Sequence, residues 1–584
     1  MEKTTLYQEL QRPSFEAFRK SLQTHVEKTW TTRFGMTVRD VLQLPSGEVG
    51  FALIAYPGKK PGYTLIMDIT DKKNEVNAFM SAIIRDTTAT RNGEAKKEML
   101  AIGNQLLEST VLVLPPDENY PTVRTIYYVQ LPSLLLVADQ KYLMEVLLER
   151  LGGQSQQKSL SQTDAYQMII KRCSSDRALE NSPHVKFFVN PLEAGEAVRS
   201  LSVLTEQERS KPSPYSILAK QGFDGIKGVG GILDLASEGY ESVWRVMAYI
   251  PEAPTLSLKM LSFQNVKGFI VPPWMNIDAA RTTFLYADVL TAFDNFGPLF
   301  DEFLGENGTW NDVLLSLEKD ENGLQVNLRN DLFALLENNI AVMTNYNKPV
   351  DEKSTRYVAS IPIKPGSEAK VAAILHRMFD ADPDFIKEEF NNDVIWNYVP
   401  QQKDPNQARP SSSRLRARRG GVLPPDLPAR KPAEGSRKTA FCVSSGYLFA
   451  GNNAEYLRFV ISETAAGNMK SIGAAPLYNK VLAIVDKETE QTGRFLQGYV
   501  LNQEGFELNY NLCRQGKLTG SNTVFARCLR ALTPKQSKNA EPMFDGKTLP
   551  PFDEFKEKLG PSGYWGRVES NGWFFKGFSM SSEK

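Results

Sequence analysis

The second half of this 584-residue chain repeats the order of its first half, and that repeat constrains the fold more than any other feature. Asp40, Leu44, Val49 and Phe51 recur as Asp331, Leu335, Ile340 and Val342, at one constant spacing of 291 residues. Tyr63, Leu65, Met67 and Ile69 recur as Tyr357, Ala359, Ile361 and Ile363. In both stretches apolar residues alternate with others, as a strand with one packed face requires. Short polar or Pro/Gly turns separate the two strands of each pair, so each pair reads as a hairpin. A helix follows. Val76, Phe79, Met80 and Ile83 fall at i, i+3, i+4 and i+7, and Val371, Ile374, Leu375 and Met378 have the same spacing. Further on, Tyr142, Leu143, Val146, Leu147 and Glu149 match Tyr456, Leu457, Val460, Ile461 and Glu463, and Tyr166 matches Tyr478.

Matched blocks in one order predict an α+β protein of two tandem related units, residues 1–272 and 273–584. Each unit is expected to be an antiparallel sheet with helices packed on one face. The length suits two large units. Lys+Arg and Asp+Glu are equal at 68, so no net field points to nucleic acid. No run of about 18 apolar residues is present to span a bilayer.

Copy two opens with a strand-like run, Thr282 to Val289, and then a helix-like stretch through Phe293, Phe296, Leu299, Phe300 and Phe303. Copy one starts inside the helix-like part, near Leu6, Phe15 and Phe18, with no strand before it. The natural protein is therefore expected to begin upstream. Met1 to Leu10 has no apolar core of a signal peptide.

Residues Gln401 to Lys438 break the pattern. They hold ten Lys/Arg, three acidic residues and six prolines. Such a segment buries too little to offset its ordering entropy, so a disordered basic insertion is expected within the second unit. Its counterpart in copy one is the turn around Pro115 to Val123. Arg414, Arg416, Arg418 and Arg419 are its candidate polyanion-binding residues, and 409–438 could touch an anionic surface. A solvated loop is the plainer reading, and the aromatics that stack on single-stranded nucleic acid are missing.

Sequence motifs for chemistry are few. Gly228, Gly230 and Gly231 fit neither GxGxxG nor GxxxxGK[ST]. Gly230 to Ile250 reads instead as a long hairpin turning at Ser237 to Gly239. Asp380, Asp382 and Asp384 form DxDxD, but an EF-hand needs Gly at its sixth position and an acid at its twelfth. Phe385 and Asn391 stand there, so a helix-ending turn is expected. The three histidines, His25, His184 and His376, lie in different predicted elements. Of the four cysteines, Cys173, Cys442, Cys513 and Cys528, none forms CxxC, and only Cys513 and Cys528 are near enough in sequence to suggest a disulfide. No catalytic residue, metal ligand or cofactor is assigned. Ser570-Asn571-Gly572, between aromatic-rich runs, predicts a C-terminal hairpin whose aromatics cover the sheet of copy two.

Four stretches carry a likeness: Val38 to Leu53, Gly323 to Tyr346, Asn391 to Pro400 and Phe544 to Phe578. On these the chain resembles a bacterial family with a duplicated α+β architecture and a domain of unknown function, whose members usually carry an export signal. The resemblance implies a cell-envelope, periplasmic or secreted location, and it transfers no functional residue. The leading expectation is a non-enzymatic binding or scaffold protein with an envelope or protein partner. A hydrophobic-ligand carrier using a sheet-helix groove is one alternative, and a hydrolase assembled from distant residues is the other.

Overall fold

A computed structural model of the chain describes residues 2–24, 37–102, 105–117, 122–178, 181–202, 205, 211–320, 324–351, 353–380, 382–399, 439–518, 521, 526–527 and 545–582. Its strands form two antiparallel sheets. The smaller sheet holds β1 (Val49–Ile54), β2 (Gly62–Asp68), β3 (Glu94–Ile102), β4 (Gln105–Leu114), β5 (Arg124–Gln130) and β6 (Leu134–Ala138). Their order across the sheet is β1-β2-β6-β5-β4-β3.

The larger sheet begins, in chain order, with β7 (Val185–Val189), β8 (Gly228–Ser237), β9 (Tyr240–Tyr249) and β10 (Arg281–Tyr286). It continues with β11 (Asn339–Tyr346), β12 (Thr355–Pro362), β13 (Phe385–Phe390), β14 (Asp393–Tyr398), β15 (Ala440–Ser444) and β16 (Tyr447–Gly451). It ends with β17 (Leu496–Val500), β18 (Leu559–Glu569) and β19 (Gly572–Ser581). Its order is β13-β14-β15-β16-β12-β11-β10-β17-β18-β19-β9-β8-β7. Strands from before residue 272 therefore complete the sheet of the second unit, so the two sheets do not coincide with the two sequence units.

Strand order follows the sequence matches. β11, β12 and β16 neighbour one another as β1, β2 and β6 do. Thr64 faces Ala138 in β2–β6, and Val358 faces Gly451 in β12–β16. Two further matched strand pairs agree in register. Phe187 of β7 pairs with Gly231 of β8, and Tyr499 of β17 pairs with Gly563 of β18.

The α+β class is as expected, but the expected placement of helices on one face needs correction: they cover both faces. In the smaller sheet, α2 (Lys73–Arg85) packs on Met67 and Leu135, while α3 (Lys141–Leu151) packs on Ile66 and Leu136. Adjacent strand residues point to opposite faces, so these helices lie on opposite sides. In the larger sheet α6 (Glu368–Asp380) covers Trp396 and Val443. The other face, with Ile395 and Cys442, lies under α7 (Ala454–Ala465), α8 (Pro476–Thr489) and α4 (Asp164–Ser174). The physical reason is visible in β6, where Leu134-Leu135-Leu136-Val137 is apolar at both parities and needs cover on both sides. Each buried Leu, Ile or Phe contributes about 1.5–3 kcal/mol.

The hairpins read from the sequence are present. β8 and β9 turn through Glu238 (φ 57°) and Gly239 (φ 79°), the paired left-handed conformations of a type I′ turn. The C-terminal hairpin is β18–β19, and Trp565, Phe574 and Phe578 join the main core.

Candidate binding cleft

Antiparallel pairing brings the starts of some strands beside the ends of their neighbours. At one end of the larger sheet this gathers the first residues of β9, β10, β12 and β18 with the last residues of β8, β11, β17 and β19. Two helices roof that end: α1 (Thr5–Leu10) and α9 (Asn502–Arg514). Between roof and sheet lies a cleft of about 970 Å³.

Each helix is tied down by a specific polar contact. The first residue of α9, Asn502, donates from Nδ2 to the Gly560 carbonyl and the Ser562 hydroxyl, both at 2.7 Å. That fixes the start of α9 against β18. In α1 the Thr4 hydroxyl caps the helix by accepting from the Tyr7 N–H. The Thr5 N–H and hydroxyl both donate to the carboxylate of Glu241 on β9. This carboxylate thus serves as the anchor of α1.

The walls are mainly apolar: Leu10, Leu235, Val500, Phe506, Leu508 and Met580. Leu508 and Met580 are buried, whereas Phe506 is exposed to the opening. Arg281 and Lys558 supply positive charge at the rim, and Tyr346 supplies a phenol. Burial pushes that phenol above its ordinary range, against the pull of nearby Arg281, so it stays a neutral donor. Gly505 of α9 also faces the cleft, and a Cβ there would meet only Val500 Cγ1, at 3.8 Å. A mainly apolar cleft with polar groups in its lining suits a molecule with an apolar body and a polar head.

The residues singled out in the sequence lie elsewhere. Arg414, Arg416, Arg418 and Arg419, with the whole 401–438 insertion, are outside the described residues. Its flanks meet at a strand pairing, with Asn397 opposite Ala440, at the position of the β4–β5 turn in the smaller sheet. Asp382 accepts the N–H of Asp384 at 2.9 Å in a turn after α6. Among the described residues no cluster of three or more His, Cys, Asp or Glu has a metal-binding arrangement. Gly231 sits in β8, where a Cβ would meet the Arg245 carbonyl oxygen at 2.1 Å, so this glycine serves close strand approach. His184 accepts the Leu235 N–H at 3.2 Å, His376 stacks edge-on against Trp396, and His25 is outside the described residues. Cys173 and Cys442 are buried free thiols, and Cys513 is a half-buried one. Cys528, its suggested partner, is outside the described residues.

Sequence reasoning missed the cleft, because its walls come from eight strand ends and two helices far apart in the chain. The one local signal was Gly505, a helix-disfavouring residue inside an otherwise helical stretch. No protein-family model matches the chain, and neither the curated proteins nor the solved structures give a match.

Proposed function

We propose that this chain is a non-catalytic binding protein, and that the cleft under α1 and α9 is its ligand site. The observation that carries the reading is the cleft of about 970 Å³, whose lining is mainly apolar with Arg281 and Lys558 among its polar residues. That volume suits a lipid-like or other amphipathic molecule, with Arg281 and Lys558 favouring an acidic head group. This reading differs from the carrier expected from the sequence, which used a sheet-helix groove, in taking a cleft at one end of the larger sheet. An extracytoplasmic location is part of the proposal, and it is what the resemblance read from the sequence implies. Among the described residues no helix is long and apolar enough to cross a membrane.

The test uses a long-chain fluorescent fatty acid as probe. The full chain is expected to bind it saturably. Gly505→Leu fills the cleft from α9 without a backbone clash and improves helix propensity by about 1 kcal/mol. It should therefore weaken probe binding at least tenfold without lowering the Tm. Equal binding by both proteins, or none by the parent chain, refutes the reading.

A further inference from the structure

The matched strand orders let the two halves be compared place by place. In the smaller sheet Thr64 faces Ala138, Ala138 faces Tyr127, and Tyr127 faces Val111. In the larger sheet Val358 faces Gly451, Gly451 faces Ala440, and Ala440 faces Asn397. Asn397 of β14 thus stands where the first half has Val111. One strand further out, Ile386 of β13 stands where the first half has Lys96. The first half buries the apolar member, with Val111 1% exposed, and keeps the charge on the edge strand. The second half reverses this, with Asn397 8% exposed and Ile386 54% exposed. Burial alone favours the first arrangement, because a buried amide needs partners and an exposed aliphatic side chain gains nothing.

Asn397 has only part of its hydrogen bonding met. Its Nδ2 donates to Glu388 at 2.9 Å, and because a carboxylate only accepts, this contact fixes which end of the amide is which. Oδ1 is buried and accepts from none of the described residues. Asn397 lines a cleft of about 460 Å³, together with Ile386, Val399 and the start of α7. Asn452 pins that start by accepting the Tyr357 N–H at 2.7 Å and donating to the Thr355 carbonyl at 3.0 Å. Asn453 caps the helix by accepting the Tyr456 N–H at 2.8 Å. The N–H groups of Ala454 and Glu455, first in the 12-residue helix, have no carbonyl one turn back and meet no acceptor among the described residues. They present the positive end of the helix dipole. The charged residues of the lining balance: Lys353 and Arg458 against Glu388 and Glu455, with Arg458 gripping Glu388 at 2.7 and 2.8 Å. A dianion would find too little positive charge here, and a hydrocarbon would leave Oδ1 bare. A ligand with one charge of each sign answers both.

We propose that this cleft is a second ligand site, separate from the one under α1 and α9, and that it takes a zwitterionic α-amino acid with an aliphatic side chain. The carboxylate accepts from the Ala454 and Glu455 N–H groups at the start of α7. The ammonium donates to Asn397 Oδ1 and lies beside the Glu388 carboxylate, which gives the buried amide its missing partner. The side chain covers Ile386 and Val399, so the exposed aliphatic residue of β13 gains its contact. The two exchanges that separate the halves, Val111 for Asn397 and Lys96 for Ile386, are thereby explained by one guest. The first half keeps the acid at the matching place, Glu98 paired with Lys141, but offers no buried acceptor beside it.

The probe is L-leucine, titrated into the full chain by calorimetry. Saturable one-to-one binding is expected. Isocaproate lacks the ammonium and isoamylamine lacks the carboxylate, and each should bind about tenfold more weakly or worse. Asn397→Val installs the residue of the matching place in the first half. It should weaken leucine binding about tenfold without lowering the Tm, because Glu388 keeps Arg458. Ala454→Pro removes one donor yet keeps the helix, since α5 (Pro191–Leu201) begins the same way, with Asn190 as cap and Pro191 first. It should weaken leucine binding and leave isoamylamine unaffected. Gly505→Leu, in the other cleft, should leave leucine binding unchanged. The proposal is overturned if leucine does not bind, if either analogue binds as tightly, or if Asn397→Val and Ala454→Pro bind leucine as the parent chain does. Displacement of leucine by an equal concentration of inorganic phosphate would also overturn it, by showing a site for anions alone.

Discussion

Arg245 of β9 and Lys576 of β19 stand directly opposite each other where strands of the two halves meet. Both point to the face of the sheet that α4 and α8 cover, and they are 0% and 7% exposed. Like charges paired across strands repel, so each cation needs its own anion. Lys576 donates to Glu488 at 2.7 Å, and the same carboxylate accepts from the Trp565 indole at 2.8 Å. Arg245 donates to Glu238, and it lies 3.7 Å from buried Asp234. Arg177 grips Asp234 with two hydrogen bonds, at 2.8 and 2.9 Å. The join between the halves is therefore a polar network set inside an apolar core.

Asp234 is the member whose loss should cost most. Asp234→Asn removes the anion shared by Arg177 and Arg245 and leaves two guanidiniums under-compensated, at a cost of about 3–5 kcal/mol. Arg245→Met should cost less than half as much, because Asp234 keeps its two bonds from Arg177. Urea unfolding of both variants checks the ranking, and equal or reversed losses would refute this account of the network.

Acid should loosen the same join. Burial disfavours the ionised Glu569 carboxyl, but hydrogen bonds from Arg172 and Arg567 outweigh it and hold the carboxyl below its usual range. Arg172 also stacks 3.6 Å from the centroid of Phe574, so its own position is fixed. A carboxyl depressed in the folded state contributes stability above its unfolded value, near ~4.3, and loses it as pH falls through the folded value. Glu569→Gln should thus be less stable at neutral pH and show a flatter decline below about pH 5. Tm measured against pH checks this, and parallel curves for the two proteins would count against it.

How much of this could be read from the sequence depended on how local each signal was. The helix stripes of Val76 and Val371 and the turns at Gly239 and Asn571 are encoded within a few residues, and they stand where periodicity put them. Alternation through Phe51 and Leu65 implies one packed face, whereas Leu134-Leu135-Leu136-Val137 shows no alternation and so takes helices on both sides. Asp234, Arg245 and Lys576 are charges at core parity within apolar strands. They became interpretable only once the pairing of β9 with β19 was known, and no sequence period encodes a pairing across more than 300 residues. The cleft was harder still, since its roof and floor come from both ends of the chain.

The buried thiols should be inert in the folded protein. Burial pushes Cys173 and Cys442 up to about 12, and Cys513 up to about 11. Only the thiolate attacks a disulfide reagent, so at pH 8 less than about one thiol in a hundred is ionised at these sites. In a Cys528→Ser background, reaction with an aromatic disulfide should proceed only as fast as the protein opens. A rapid reaction of one equivalent or more, without denaturant, would contradict the burial described.

The tightest steric demand in the larger sheet falls on Gly498. It sits in β17 between Thr283 of β10 and Tyr564 of β18. The Tyr564 ring lies across it, and its hydroxyl meets the Thr283 hydroxyl at 2.7 Å. A Cβ at position 498 would fall 1.9 Å from the ring carbon Cζ. Gly498→Ala must therefore push the ring aside and break that hydrogen bond, for a loss of about 1–3 kcal/mol from overpacking. Tyr564→Phe removes the hydrogen bond but keeps the ring, and should cost about 1 kcal/mol. If the ring is the obstacle, pairing Gly498→Ala with Tyr564→Ala should cost less than the sum of the two single changes, because the methyl then has room. Strict additivity in that double-mutant cycle would show that the glycine is required for a reason other than the tyrosine lying over it.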